Sequence, residues 1–341
     1  MRAAVFLGNK TVEVKNIPVP QIGKDEILVQ VKSAGICGTD VHIFSGGKGA
    51  ADCVPPKVLG HEFSGIIVKA GPNVHDLREG DRVVIDPNDM CGRCRYCRSG
   101  KGHFCENMRG IGTTVNGGFE EYCAVRAKQA TRISDSLSFD EAAFSEPVSC
   151  CLHGIDRADI RPGSTVLIIG GGPIGLIMLQ LARLSGAAET AVLEPVESKR
   201  KMAKSLGADF AIDPASCDVQ EELCSHGFRE INTVIECVGL KKTMQSAVEL
   251  AGKGATVVLF GLTAPDCEIS VKPFEIFQKE LTITSSYINP YTFSRAVALL
   301  ESGRLKVKPL ISRTLGLEDL GRALSDRNFR GGGKAIVHPQ G

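Results

Sequence analysis

Two patterns of hydrophobic and polar positions divide the chain. Through residues 1–147, short runs alternate apolar and polar positions, as in Ile27-Leu28-Val29-Gln30-Val31-Lys32, Gly65-Ile66-Ile67-Val68-Lys69 and Asp81-Arg82-Val83-Val84-Ile85. Gly, Pro, Asn and Asp residues separate them, so the pattern predicts half-buried strands joined by turns, a β-rich region with little helix. Near Ser138 the pattern changes, with Ser138 and Glu141 in capping-box spacing before an apolar turn.

From residue 148 to 286 short apolar runs alternate with segments of helical period. The runs are Thr165 to Ile169, Thr190 to Leu193, Phe210 to Ile212, Thr233 to Cys237, Ala255 to Phe260 and Leu281 to Ser285. The helical segments include Ile174 to Ser185, Ser198 to Leu206 and Leu240 to Ala251, with Gly186, Gly207 and Gly252 at the expected closing positions. Strands and helices in strict alternation predict a parallel, doubly wound α/β sheet. Residues 287–341 then give a helix over Tyr291 to Ser302 and a last strand, Lys334-Ala335-Ile336-Val337. Six strands already complete the sheet, so this tail is expected to rejoin the first region.

The glycine run Gly170-Gly171-Gly172-Pro173-Ile174-Gly175 stands between the first of those strands and its helix and fits G-x-G-x-x-G. The glycines differ in what they do. Gly170 makes the tight turn, Gly172 lets backbone approach a pyrophosphate, and Gly175 lets helix pack against strand. Glu194 ends the next strand, nineteen residues beyond Gly175. A carboxylate there accepts both ribose hydroxyls of an adenosine and repels a 2′-phosphate, which predicts NAD over NADP. Lys199 and Arg200 nearby suit either a phosphate or a solvated helix face.

Cys91, Cys94, Cys97 and Cys105 are separated by two, two and seven residues in a glycine-bearing loop. Four thiols so spaced close around one tetrahedral zinc and leave no position free, which predicts a structural site. Arg93, Arg95, Arg98 and Lys101 in the same lobe raise the question of nucleic acid, but only Tyr96 and Phe104 offer stacking surface, and solvated charge is the simpler reading. Elsewhere, Ala34-Gly35-Ile36-Cys37-Gly38-Thr39-Asp40-Val41-His42 and Leu59-Gly60-His61-Glu62-Phe63-Ser64-Gly65 bring soft and borderline donors into short turns. Those are the ligand types zinc prefers, although Cys37 and His61 taken singly also suit a buried core. Adjacent side chains in an extended segment point apart, so His61 and Glu62 are not expected to hold one metal equally.

Composition narrows the rest. Forty basic and thirty-nine acidic residues leave a net charge of +1, which gives no global attraction to DNA or an anionic membrane. No apolar run approaches the roughly 20 residues of a membrane span, and the N-terminus turns polar too soon for a secretory signal. Thirteen cysteines then read as ligands and buried thiols of a cytoplasmic protein.

Taken in order, Cys37-Gly38-Thr39-Asp40-Val41-His42, Gly60-His61-Glu62, the four-cysteine lobe, Glu146-Pro147, the Gly170 to Gly175 loop and Glu194 make the chain resemble the zinc-dependent medium-chain dehydrogenases over essentially its full length. Within them it is most similar to the sorbitol, threonine and butanediol dehydrogenases. The resemblance implies a GroES-like β-rich catalytic domain, residues 1–147 with a zinc lobe at 88–110, completed by 287–341, and a Rossmann domain at 148–286. It implies two zinc ions and NAD per chain. Cys37, His61 and Glu146 would hold the catalytic zinc, with Asp40 orienting His61 and Glu62 close by, tuning the ion or binding it transiently. Gly170, Gly172, Pro173, Ile174, Gly175, Glu194 and Lys199 would meet the cofactor. A secondary alcohol or polyol would give its hydride to the nicotinamide while its proton leaves through Thr39, the cofactor ribose and His42. His153 is expected to be structural or adjacent to the cofactor rather than catalytic. The substrate would be a small hydroxylated molecule, with threonine, butanediol and sugar-alcohol phosphates as alternatives. Sorbitol itself fits less well, because Ser285-Ser286-Tyr287-Ile288-Asn289-Pro290-Tyr291 lacks the arginine of an arginine-tyrosine pair and Ile43 stands where a tyrosine would help bind a polyol. Tyr287 and Asn289 remain available to a hydroxylated substrate. A homodimer or homotetramer is expected by the same analogy, with the 255–260 strand as a candidate sheet edge and the cysteine lobe as a second candidate contact. A non-catalytic nucleotide- or zinc-binding protein is the reading from another class, disfavoured by the intact Cys37, Thr39, His61 and Glu146 set.

Overall fold

The alternating runs of the first region become strands of one seven-stranded sheet. In the computed structural model, which describes residues 1–47, 52–228 and 230–341, the main path runs Ala130–Arg132, Arg82–Ile85, Glu62–Ala70, Glu26–Gly35, Lys334–Val337 and Ile311–Leu315, with Tyr122–Arg126 also paired to Glu26–Gly35. A three-stranded sheet with Arg2–Gly8 at its centre lies in the same unit. The chain divides into two compact units, one made of Met1–Ser149 and Pro290–Gly341 and the other of Cys150–Asn289. Inward positions such as Ile27, Val29, Val31, Phe63 and Phe119 are wholly buried, and each large apolar side chain so buried contributes on the order of 2 kcal/mol.

Register in this sheet prepares the site. Glu26–Gly35 runs antiparallel to Glu62–Ala70 and ends with Gly35 opposite Glu62. The last strand, Lys334–Val337, also runs antiparallel to it, with Ile336 opposite Gly35 and Val337 opposite Ala34. Residues 35, 62 and 336, far apart in sequence, are therefore laid side by side. A parallel partner strand, Ile311–Leu315, and a helix at Gly38–Phe44 are elements that the hydrophobic pattern did not disclose.

The second unit is the predicted doubly wound sheet. Six parallel strands stand in the order Phe210–Ile212, Glu189–Leu193, Thr165–Ile169, Thr233–Glu236, Thr256–Leu259 and Thr282–Ser285. The chain winds outward from Thr165–Ile169 in one direction and then in the other, which creates a switch point between that strand and Thr233–Glu236. The helices Pro173–Leu184 and Glu197–Ser205 end before Gly186 and Gly207, whose φ values of 106° and 105° are left-handed as a closing glycine requires.

Four expectations need correction. Gly252 does not close its helix in a left-handed turn; Lys241–Leu250 ends at the extended cap Ala251, and Gly252 is required because a Cβ there would lie 2.8 Å from the Ile231 carbonyl oxygen. The 255–260 run is no edge, since Thr256–Leu259 lies between two strands, and the edges are Phe210–Ile212 and Thr282–Ser285. An apolar run carries no record of strand order. The helix expected from Tyr291 begins only at Phe293, because Tyr291 itself has a φ of 59° and turns the chain. The fourth correction concerns the side chains at His61 and Glu62.

Candidate functional site

Cys37 lies where the strand Glu26–Gly35 has ended and the helix Gly38–Phe44 begins. It is the N-cap of that helix, with its sulfur accepting from the Thr39 amide at 3.5 Å while Asp40 accepts from the Cys37 amide at 2.9 Å. The thiol thus occupies the place of the hydroxyl in a capping box. Asp40 is wholly buried, and its other oxygen lies 3.3 Å from the Gly60 amide and 3.4 Å from His61 Nδ1. One carboxylate therefore fixes both turns that carry the donors. Thr39 and His42 are half-buried on the same helix.

Gly60 takes a φ of 91°, with Phe119 packed against it, and reverses the chain before the strand Glu62–Ala70. His61 precedes that strand, so the alternation of a pleat does not yet separate it from Glu62. Contrary to the expectation from extended geometry, donor atoms of Cys37, His61 and Glu62 all lie within 4.8 Å of one another. A thiolate, an imidazole and a carboxylate gathered in this way fit zinc. In the metal-free chain burial opposes a charge on His61, but Asp40 and then Cys37 outweigh it and raise its proton affinity well above the ordinary value.

Glu62 has a partner that the sequence did not suggest. Lys334 Nζ stands 2.7 and 2.6 Å from its two carboxylate oxygens and 3.4 Å from the Ile36 carbonyl. Both side chains are buried, at 7% and 1% exposure. Burial works against the ammonium, yet Glu62, Cys37 and Glu146 together hold Lys334 above the usual lysine range. The only sequence signal was a lysine opening an otherwise apolar strand. Glu146 lies in the first turn of the helix Ser145–Asp156, buried and near enough to Lys334 to act on its charge, but outside the group of donors within 4.8 Å of one another.

Cys91, Cys94, Cys97 and Cys105 form the second cluster, again with sulfurs within 4.8 Å of one another. The Cys91 sulfur accepts from the Cys94 amide at 3.4 Å, and the Cys105 sulfur from the Cys91 and Asn107 amides at 3.3 and 3.4 Å. Amide donors favour thiolates, and those of Arg93 and Cys94 bring Cys91 down to about 6. Tyr96 and Phe104, the two candidate stacking residues, pack edge to face on each other at 5.8 Å, and Arg95 lies over Tyr96.

In the other unit the glycine loop has the tight turn expected at Gly170 and the close packing expected at Gly175. Gly170 has a φ of 107°. A Cβ on Gly175 would stand 1.8 Å from the Gly170 carbonyl oxygen, whereas one on Gly172 would meet nothing within 4 Å, leaving the loop's outer side clear. Pro173 and Ile174 open the helix, with Gly172 as N-cap. Glu194 is buried, and its oxygens accept from the Gly171 amide at 2.8 Å and the Val196 amide at 3.0 Å. Arg200 is committed to the Glu194 and Pro195 carbonyls and to Asp213 at 3.2 Å, while Lys199 is half-exposed. Glu236 went unnoticed in the sequence: at the end of its strand it accepts from the Val238 and Gly239 amides and the Thr243 hydroxyl through one oxygen, at 2.8, 2.9 and 2.7 Å.

Comparison with known proteins accords with both units. Residues 23–135 match the model of the alcohol dehydrogenase GroES-like domain, and residues 173–302 that of the zinc-binding dehydrogenases. The chain is 34% identical to D-arabinitol dehydrogenase 1 of Uromyces fabae, covering 94% of this chain and 92% of that one. It is 32% identical to sorbitol dehydrogenase of Bacillus subtilis, over 96% and 95%. A solved zinc-binding dehydrogenase from Sinorhizobium meliloti, bound to NADP, superposes with a TM-score of 0.95 at 39% identity, over 99% of both chains.

Proposed function

This chain belongs to the zinc-dependent medium-chain dehydrogenases, in their sorbitol or polyol branch, and from that premise we propose that it interconverts a secondary alcohol of a small polyol and the corresponding ketone, using NAD. The gathering of Cys37, His61 and Glu62 donors, together with a separate four-cysteine cluster, carries the reading. Cys37 and His61 would hold the catalytic zinc, with Glu146 as third protein ligand and Glu62, whose donor lies within 4.8 Å of theirs, close enough to bind it too, and the four cysteines would hold a structural zinc, two ions per chain. An ion held there would supply Lewis acidity, easing loss of the hydroxyl proton. Thr39 would receive that proton and His42 would pass it toward solvent, both from the helix that Cys37 caps.

Glu194 supports NAD, because a buried carboxylate fixed by two loop amides at the end of the second strand would oppose a 2′-phosphate there. The NADP carried by the Sinorhizobium meliloti protein makes cofactor choice the point to measure. The exposed edge strand Thr282–Ser285, with Phe274 and Phe277 at 70% and 79% exposure in the same unit, supports assembly with a second copy. Thirteen free cysteines accord with a reducing, cytoplasmic setting. No helix among the described residues is long and apolar enough to cross a membrane.

The test is a panel of arabinitol, sorbitol, threonine, butanediol and sugar-alcohol phosphates with NAD and NADP, read by absorbance of the reduced cofactor, together with metal analysis. About two zincs per chain, loss of one in Cys37→Ala, and turnover of a polyol with NAD are expected. Turnover confined to NADP would refute the role of Glu194, and unchanged zinc content in Cys37→Ala would refute the catalytic site.

A further inference from the structure

Basic and acidic residues are almost equal in number, and several arginines are matched with acids, as where Arg132, Arg183 and Arg200 lie 3.0, 2.8 and 3.2 Å from Asp81, Asp209 and Asp213. One group departs from this. Arg313 in the strand Ile311–Leu315 and Arg322 in the helix Leu320–Ser325 both set their guanidinium groups over the ring of Phe329, at 4.6 and 4.1 Å from its centroid. Phe329 belongs to the one-turn helix Arg327–Arg330, which adds two more arginines, and Arg330 Nη1 reaches back to the Ala323 carbonyl oxygen at 2.5 Å. None of the four forms an ion pair among the described residues. Asp326 is engaged as the cap of that short helix, accepting from the Asn328 and Phe329 amides at 2.8 and 3.1 Å, and Glu318 is taken by Arg2. Burial and the charge of Arg327 press on the Arg330 guanidinium, and Asp326 offsets them only in part. Arginine keeps its proton in proteins, so this charge is left to be balanced from outside the chain.

The frame that holds the group is fixed in advance. Ser312 donates to the Arg330 carbonyl at 3.0 Å, and the next loop lies so close to the strand that a Cβ on Gly331 would stand 3.0 Å from Ser312 Cβ and one on Gly333 2.3 Å from the Leu310 carbonyl oxygen. Cations held in this way lose little freedom when a ligand arrives. The planar fork of arginine meets the oxygens of a phosphoryl group in pairs, which lysine does not. Phe329 is half-buried and its ring is already covered by two guanidinium groups, so it offers no open face on which a base could stack. That favours a compact anion over a nucleic-acid strand. We propose that Arg313, Arg322, Arg327 and Arg330 form a binding site for a soluble phosphomonoester or diphosphate, separate from the residues assigned to zinc and to the cofactor.

Calorimetric titration of the zinc-loaded protein with inorganic pyrophosphate tests it, with excess NADH present to fill the nucleotide loop and zinc content measured afterwards, so that capture of metal by the probe is not counted as binding. The wild-type protein is expected to bind the probe, more weakly as salt rises. Arg327→Gln, at an exposed position, is expected to weaken binding about tenfold or more, and Arg327→Lys to recover only part of the loss, because the charge returns without the fork. Arg313→Gln, also at an exposed position, carries the same expectation as Arg327→Gln. No response in the wild-type protein, or equal affinity in wild type and Arg327→Gln, would overturn the proposal. So would binding to a short DNA duplex or to phosphatidylglycerol vesicles that is lost in Arg327→Gln while pyrophosphate has no effect, since the cluster would then read an extended polyanion.

Discussion

Replacing Glu120 by glutamine should make the protein more stable at alkaline pH while leaving it nearly unchanged in acid. Glu120 is 2% exposed, and its Oε2 has no hydrogen-bond partner. Burial drives its carboxyl from an ordinary 4.5 up to about 8, with a hydrogen bond to Cys123 opposing only in part. The folded chain therefore keeps a proton that the unfolded chain releases above about pH 4.5. The stability linked to that proton is intact below pH 4.5 and drains as pH rises, until the folded carboxyl itself ionises near 8. At about 1.4 kcal/mol per pH unit the loss has a ceiling of about 5 kcal/mol. Glutamine keeps the shape and never ionises, so the difference between variant and wild type isolates this one group. The chain has no tryptophan, so urea unfolding is best followed by far-ultraviolet circular dichroism, at several pH values from about 5 to about 9. The expected result is a gap that opens with pH in favour of Glu120→Gln. A gap that stays constant across the range would refute the reasoning.

Gly175→Ala should weaken NADH binding about tenfold or more, since its Cβ would lie 1.8 Å from the Gly170 carbonyl oxygen and overpacking of about 1–3 kcal/mol is relieved by displacing the loop; unchanged affinity in a fluorescence titration would contradict this. His338 lies 2.7 Å from Asp140, whose hydrogen bond raises the imidazole above its ordinary 6.5. Its contribution is present below pH 6.5 and lost as pH rises through the raised folded value. The difference in melting temperature between wild type and His338→Ala should accordingly shrink between about pH 5.5 and about pH 9, and a difference that grows would reverse the assignment.

What the sequence disclosed of the site is what local spacing encodes. The four cysteines lie within one loop, and the three glycines of the nucleotide loop within six residues, so their geometry is nearly written in their order. Gly170 and Gly175 play the parts that their positions predicted. Lys334 escaped because its partner is 272 residues away, and a lysine at the start of an apolar strand reads as a solvated flank. Gly35 escaped for the same reason: its absent side chain matters only to a carboxylate across the sheet. Strand order was equally silent, since the run 255–260 looks the same at an edge or an interior position. The pleat argument about His61 and Glu62 failed because Gly60, at a φ of 91°, turns the chain where alternation was assumed.

Three of these buried carboxylates share one physical device. Asp40 accepts from the amides of Cys37 and Gly60, Glu194 from those of Gly171 and Val196, and Glu236 from those of Val238 and Gly239. The turns concerned lie beyond the ends of strands, so their amides have no ladder partners, and an unpaired buried amide is costly. Water would satisfy them but would also compete for metal or pyrophosphate. A carboxylate accepts several charge-assisted hydrogen bonds while occupying little space, which keeps each turn rigid and its outer side clear. Glu62 breaks the pattern, because among the described residues a lysine, not a turn amide, takes both its oxygens. A carboxylate fixed by backbone amides cannot be released without rebuilding a turn, whereas one fixed by a single side chain is freed by moving that side chain. Glu62 is thus held by a contact that a single side chain can undo, unlike Asp40, Glu194 and Glu236, each of which accepts from two turn amides.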